Sequence, residues 1–226
     1  MLALPACAAY LGGSESEAAM TPEEIERLFT REGAYAFARW GRPIAPVVFG
    51  VDDATLGTVK AALQAVAALA GREIAETDPE LGANLMFFFL RDWDELLGVP
   101  NLGEMIPDLP ATVARLKALD ANRYRTFRYD GNGAIKAGFA VLAMRGGLET
   151  LPAETVALGE AVECVLTWGE AAFAATSPLA LHPDTGATIL RPEIAEVIRA
   201  AYDPALPDAA NDPSHALRLL ARMVGR

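Results

Sequence analysis

Residues 83–90 (ANLMFFFL) carry an apolar run bounded by Gly82 and Asp92. A run of that length, without polar alternation, predicts a strand covered on both faces. The chain must therefore supply covering material on either side of it. With 226 residues, 52% of them hydrophobic, it has enough to bury a sizeable core in one domain, or in one domain with an appendage.

The elements around that strand follow from local patterns. Thr21-Pro22-Glu23-Glu24 predicts a helix start, with Thr21 as cap, Pro22 in the first turn and Glu24 closing a capping box. The helix is expected to run to about Arg39, with Ile25, Leu28, Phe29 and Phe37 at helical spacing and Gly33 weakening its middle. Gly41-Arg42-Pro43 ends it, and residues 44–51 read as a strand rich in β-branched side chains. Asp52-Asp53 opens a helix with Val59, Leu63, Val66 and Leu69 on one face, stopped by Gly71. Ile74 begins a short extended stretch.

Residues 93–121 form an excursion with three prolines and a short helix through Val113, Leu116 and Leu119. Residues 123–130 and 134–144 then read as a hairpin, in which Asn132-Gly133 supplies the positive φ values of a tight turn. Arg123, Arg125 and Arg128 give its first strand a basic side. That side is either a charged edge that discourages aggregation or an anion-binding strip.

Thr150-Leu151-Pro152 opens a long helix, expected to reach about Ala175. Val156, Leu158, Val162, Val165, Leu166 and Phe173 make it apolar around much of its circumference, so it should be central and buried. Residues 179–190 read as a loop. Residues 191–202 read as a helix with Ile194, Val197, Ile198 and Ala201 inward, and a last short helix passes through Leu217, Leu220 and Met223. The expected class is α/β (α+β): one domain over residues 21–226 with a mixed sheet, a long buried helix and a helical C-terminal part, after an N-terminal tail, residues 1–20.

The formal charge of −11 excludes nucleic acid as a partner, because a phosphate backbone needs a basic surface. No run approaches the ~18 apolar residues of a membrane span. Two cysteines make no disulfide framework, and Cys164, among apolar residues of a helix, reads as a buried inert thiol.

The segment Val162-Glu163-Cys164-Val165-Leu166-Thr167-Trp168-Gly169 has the spacing of the zinc-protease helix H-E-x-x-H-x-x-G-x-x-H. Glu163 and Gly169 occupy the Glu and Gly positions, while Val162, Leu166 and Ala172 stand where the three His would be. No His occurs between Met1 and Leu181. In this spacing, and in the order of elements over residues 42–203, the chain resembles the zincin-like fold of the metzincin metallopeptidases. The resemblance implies that residues 154–175 form the central helix, that a turn within residues 177–184 (which lacks the family's Met) follows it, and that residues 189–202 close under the site. Through Cys164 and the LRPEIAEVIRAAYDP stretch the chain is also similar to a bacterial envelope family known only as a domain of unknown function. That likeness implies a secreted or lipid-anchored protein without a zinc motif. Leu4-Pro5-Ala6-Cys7 resembles a lipobox, with Cys7 as the lipidated residue and a membrane tether; Pro5 is unusual there and only six residues precede Cys7. A shortened signal peptide and an ordinary frayed terminus both fit.

Zinc catalysis needs about three protein ligands, and Val162 and Leu166 offer no lone pair. Glu160 and Glu163, three apart on a helix, could share a calcium- or manganese-like cation with His182 and Asp184, or could face solvent. Glu163 is the one catalytic candidate, as general base, but without metal-bound water it has nothing to activate. If buried it needs a partner, which a hairpin arginine could supply. No G-x-S-x-G elbow supports Ser177 and His182 as a nucleophile and base. The expected function is thus a non-catalytic envelope protein, periplasmic, outer-membrane-anchored or secreted, that binds a protein or peptide partner and carries no cofactor. The alternative is a hydrolase using carboxylates or a non-zinc metal at the central helix. Trp93, Leu96 and Met105 of the excursion, with Arg125, are the expected partner-binding residues; the excursion could instead only cover the sheet edge.

Overall fold

The computed structural model describes residues 2–4 and 20–225. In chain order the elements begin with strand β1 (Leu2–Leu4), helix α1 (Pro22–Leu28), and the short strands β2 (Thr30–Arg31), β3 (Ala34–Tyr35) and β4 (Phe37–Ala38). Strand β5 (Pro46–Phe49), helix α2 (Asp53–Leu69) and strand β6 (Leu85–Leu90) follow. A 3-10 turn (Trp93–Gly98), α3 (Leu102–Met105) and α4 (Leu109–Ala118) make up the excursion. Next come the hairpin β7 (Arg123–Tyr129) and β8 (Ile135–Ala143), helix α5 (Ala153–Val165), strands β9 (Leu179–Leu181) and β10 (Thr188–Leu190), α6 (Pro192–Ala201), β11 (Ala209–Ala210) and α7 (Ser214–Val224).

The main sheet has the order β1-β7-β8-β6-β5. Strands β5, β6 and β8 are parallel, while β7 is antiparallel to β8 and β1 antiparallel to β7. The protein is therefore α+β with a mixed sheet. The apolar run forms β6 and is covered on both faces: Leu85, Phe87 and Phe89 enter the larger apolar cluster with α2, α5 and α6, while Phe88 and Leu90 enter a second cluster built by the excursion. Strand β8 alternates the same way, with Ala140 and Leu142 on one side and Phe139, Val141 and Ala143 on the other. Two-residue periodicity in a two-sided sheet produces this split.

Local signals acted where expected at several places. Thr21 and Glu24 form the reciprocal capping box of α1, and Asp52 caps α2 by accepting from the Thr55 amide at 2.8 Å. Helix α6 buries Ile194, Val197, Ile198 and Ala201. In α7 the buried face is His215, Ala216 and Leu219, whereas Leu217 is 56% exposed.

Four expectations are corrected. Helix α1 stops at Leu28 and does not reach Arg39. The chain reverses through Glu32 (φ 49°) and Gly33 (φ 80°) into the β2–β3 hairpin, so Gly33 supplies the positive φ of a two-residue turn and does not weaken a helix. In the β7–β8 turn only Gly133 takes positive φ (82°), and Asp130 Oδ1 accepts the amides of Asn132 and Ala134. Residues 179–190 are the β9–β10 hairpin, not a loop.

The fourth concerns the central helix, which ends at Val165 and not near Ala175. Leu166 is extended (φ −140°, ψ 164°) and bridges to Arg39. The last carbonyls of any helix lack intrahelical donors. Here they are met from a distance: Trp168 Nε1 donates to the Val162 carbonyl at 2.8 Å, Trp40 Nε1 to Cys164 at 2.8 Å, and the Tyr202 hydroxyl to Val165 at 2.6 Å. The chain then lies along β4, with the Thr167 amide on the Ala38 carbonyl and the Gly169 amide on the Leu28 carbonyl.

Arg39 ties this region to the C-terminal part. Its guanidinium donates to Asp208 Oδ1 and to the carbonyls of Ala201, Asp203 and Leu206 at 2.7–2.9 Å. Among the described residues no helix is long and apolar enough to cross a membrane.

Candidate functional site

Nearly all of α5 is buried, from Thr155 to Val165 with only Leu158 half-buried. Glu160 and Glu163, at i and i+3, are therefore largely withdrawn from water and lie on one helix face. Strand alternation on β7 presents Arg123 and Arg125 together on the sheet face that α5 covers. The two pairs meet. Arg125 Nη1 donates to Glu163 Oε2 at 2.5 Å and Arg125 Nη2 to Glu160 Oε2 at 2.6 Å, while Arg123 Nε lies 2.9 Å from Glu160 Oε1. The Glu160 and Glu163 side chains are 3% and 11% exposed. Four formal charges sum to zero in a place where any one alone would be costly.

The electrostatics follow from this packing. Burial works against the Arg125 charge, yet the carboxylates of Glu163 and Glu160 outweigh it and hold that guanidinium well above its ordinary range. Burial pushes the neighbouring Cys164 thiol up to about 12, although Arg125 pulls the other way. A thiol kept protonated is a poor nucleophile. A general base has to reach the proton it removes, and Glu163 Oε2 is already engaged by Arg125. The quartet is built to hold α5 against β7.

The other candidate residues lie elsewhere. His182 and Asp184 sit on the β9–β10 hairpin, where the Asp184 amide donates to His182 Nδ1 at 3.3 Å and the His182 amide and carbonyl close the turn. They do not join Glu160 and Glu163: among the described residues no three of His, Cys, Asp and Glu are grouped to hold a metal ion. Leu166 and Ala172, matched to zinc-ligand positions, have left the helix altogether. Gly169 matters for another reason, since a Cβ there would lie 2.3 Å from the Thr30 carbonyl oxygen.

Of the residues expected at a partner surface, Trp93 and Leu96 are fully buried in the second cluster, with Trp93 Nε1 donating to the Ala121 carbonyl. They form the inside of the covering layer and cannot touch a partner. Arg125 is committed to the quartet. Met105 is partly exposed, and its carbonyl accepts from Arg128. Cys7 lies outside the described residues.

A feature that residue patterns did not announce is the outer edge of β7. Strand β1 pairs there antiparallel, with Leu2 opposite Arg125, Ala3 opposite Tyr124 and Leu4 opposite Arg123. Among the described residues no strand pairs with Thr126–Tyr129 on that edge. Comparison with family models, with curated proteins and with solved structures found no match for this chain.

Proposed function

We propose that this chain is a non-catalytic binding protein of the bacterial cell envelope that takes an extended segment of a partner protein by strand addition at the edge of β7. The observation that carries this reading is the pairing of β1 with Arg123–Arg125, an intramolecular strand on that edge that supports its taking a strand from a partner. Main-chain hydrogen bonds supply affinity in such recognition, and side-chain pockets supply selectivity. The placement of α5 behind β7 accords with a metallopeptidase-like layout, in which the edge strand receives an extended peptide without needing metal. Glu163, the one candidate base, is tied to Arg125, which favours binding over hydrolysis.

Anchoring through Cys7 belongs to the same reading. Lipidation there makes Cys7 the first residue of the mature chain and removes Leu2–Leu4. The anchored form then presents a bare β7 edge.

The test uses a chain starting at residue 7 and a synthetic peptide spanning residues 1–6 added in trans. Slowed hydrogen exchange at the amides of residues 123–129 on peptide addition supports strand acceptance. Unchanged exchange at millimolar peptide rejects it. Peptide cleavage abolished by Glu163→Gln would replace this reading with the hydrolase. Mass spectrometry of membrane-associated protein tests the anchor, and an unmodified Cys7 within a full-length product removes it.

A further inference from the structure

A second site lies at the N-terminal end of α5, away from the β7 edge, and does not depend on strand addition there. The carboxyl ends of the parallel strands β5, β6 and β8 converge on a cavity of about 310 Å³. Ligands of open α/β sheets sit in crevices of this kind, outside the carboxyl ends of the strands. Its walls are Val59 of α2, Phe89 of β6, Met144 after β8, and Leu151 and Val156 at the start of α5. Two features keep the space open. Ala153 and Ala157, one helical turn apart, present methyl groups where larger side chains would fill it. Gly50, at φ +83°, lets the β5–α2 loop lie against the end of β6, since a Cβ there would fall 2.0 Å from the Phe89 carbonyl oxygen.

Charge selects the occupant. The lining contains no Lys, Arg or His, and Asp52 is its one ionisable residue. Two helix N-termini opening nearby would ordinarily favour an anion. Here Asp52 and Asp53 at the start of α2 and Glu154 at the start of α5 set carboxylates against that preference. The Thr55 amide, by donating to Asp52, keeps its carboxyl below the usual carboxylate range and so ionised at neutral pH.

We infer that this cavity is a binding site for a small organic ammonium ion, its apolar body between Val59, Phe89 and Val156 and its charge on the Asp52 carboxylate. Phe89 and Met144 suit a flat or flexible hydrocarbon body.

The decisive pair of probes is 2-phenylethylammonium and its neutral counterpart 2-phenylethanol, titrated calorimetrically into the whole chain. The ammonium should bind saturably, and the alcohol at least about tenfold more weakly, as expected for loss of one charge-assisted hydrogen bond. Asp52→Asn preserves the helix cap, because Asn caps as well as Asp. It should lower ammonium affinity by about tenfold or more, while the melting temperature stays near that of the parent. Ala153→Leu, at an exposed mouth position, should abolish binding of both probes. No saturable binding of the ammonium up to about 10 mM, or equal affinity in Asp52→Asn, overturns the assignment. Because β7 takes no part in this site, failure here leaves the strand-addition test untouched, and the converse holds.

Discussion

Arg125 and Glu163, 38 positions apart, are joined at 2.5 Å between Nη1 and Oε2, and this contact converts the one carboxylate that could have served as a base into half of a buried ion pair. The second nitrogen of the same guanidinium holds Glu160. One side chain of β7 thus fixes both buried acidic residues of the central helix.

Removing that side chain should be severe. Arg125→Met leaves Glu163 buried beside Cys164 without its cation, and breaking one partner of a buried pair typically costs about 3–5 kcal/mol. Glu163→Gln should cost less, since Arg125 retains Glu160. Urea unfolding of the two single variants and the double variant gives the coupling energy. A loss below about 1 kcal/mol in Arg125→Met would show that the quartet is not what fastens α5 to β7.

His215 should make stability depend on mild acid. Its ring is buried, with Nδ1 2.8 Å from the Tyr35 hydroxyl and its face 4.3 Å from Phe37. Burial, with help from Arg218 and Arg39, lowers its pKa from 6.5 to about 4. The folded state thus keeps the ring neutral at pH values where the unfolded chain would protonate it. Its contribution is complete above about pH 6.5 and is lost as pH falls toward 4, on the order of 3 kcal/mol in all. His215→Gln should flatten the change in urea midpoint between pH 7 and pH 4.5. An unchanged slope would locate the acid sensitivity elsewhere.

Two glycines should respond oppositely to alanine. At Gly169 the added Cβ would lie 2.3 Å from the Thr30 carbonyl oxygen, and overpacking of that kind costs about 1–3 kcal/mol. At Gly57, inside α2, nothing lies within 4 Å, so alanine should gain about 0.5–1 kcal/mol from helix propensity. Thermal melting of both variants checks the contrast.

These positions mark where local pattern sufficed and where it did not. Helix α2 was legible because its signals are contiguous: Asp52 to cap it, an apolar stripe, and Gly71 to stop it. The run at β6 was legible because an uninterrupted apolar strand has few other homes. The end of α5 was not. Thr167-Trp168-Gly169 contains no proline, and apolar spacing continues through Phe173. What stops the helix at Val165 is a set of side-chain donors, Trp40 and Tyr202 among them, that come from far along the chain. Helical spacing likewise carried α1 past Leu28, where Glu32-Gly33 turns the backbone. The ion-pair partner of Glu163 could be sought among the hairpin arginines because burial demanded one. Trp93 and Leu96 were misplaced because an aromatic-rich insertion reads alike whether its apolar side faces a partner or its own sheet.

Cys164 should be silent to thiol reagents. Burial holds the thiol up to about 12. In a Cys7→Ser background, native protein should react with an aromatic disulfide reagent no faster than it unfolds globally, and the rate should rise sharply in denaturant. Fast native labelling would mean that α5 opens locally.

The Arg39 clamp has a kinetic corollary. Strand β4 pairs with the distant β11, and among the described residues the Arg39 guanidinium finds its acceptors within residues 201–208. Until the chain has folded far enough to bring up these acceptors, which lie 162–169 positions away, that guanidinium stays hydrated by water. Closure of so long a loop is slow, so the Arg39 contacts belong to the late steps by which this fold is completed.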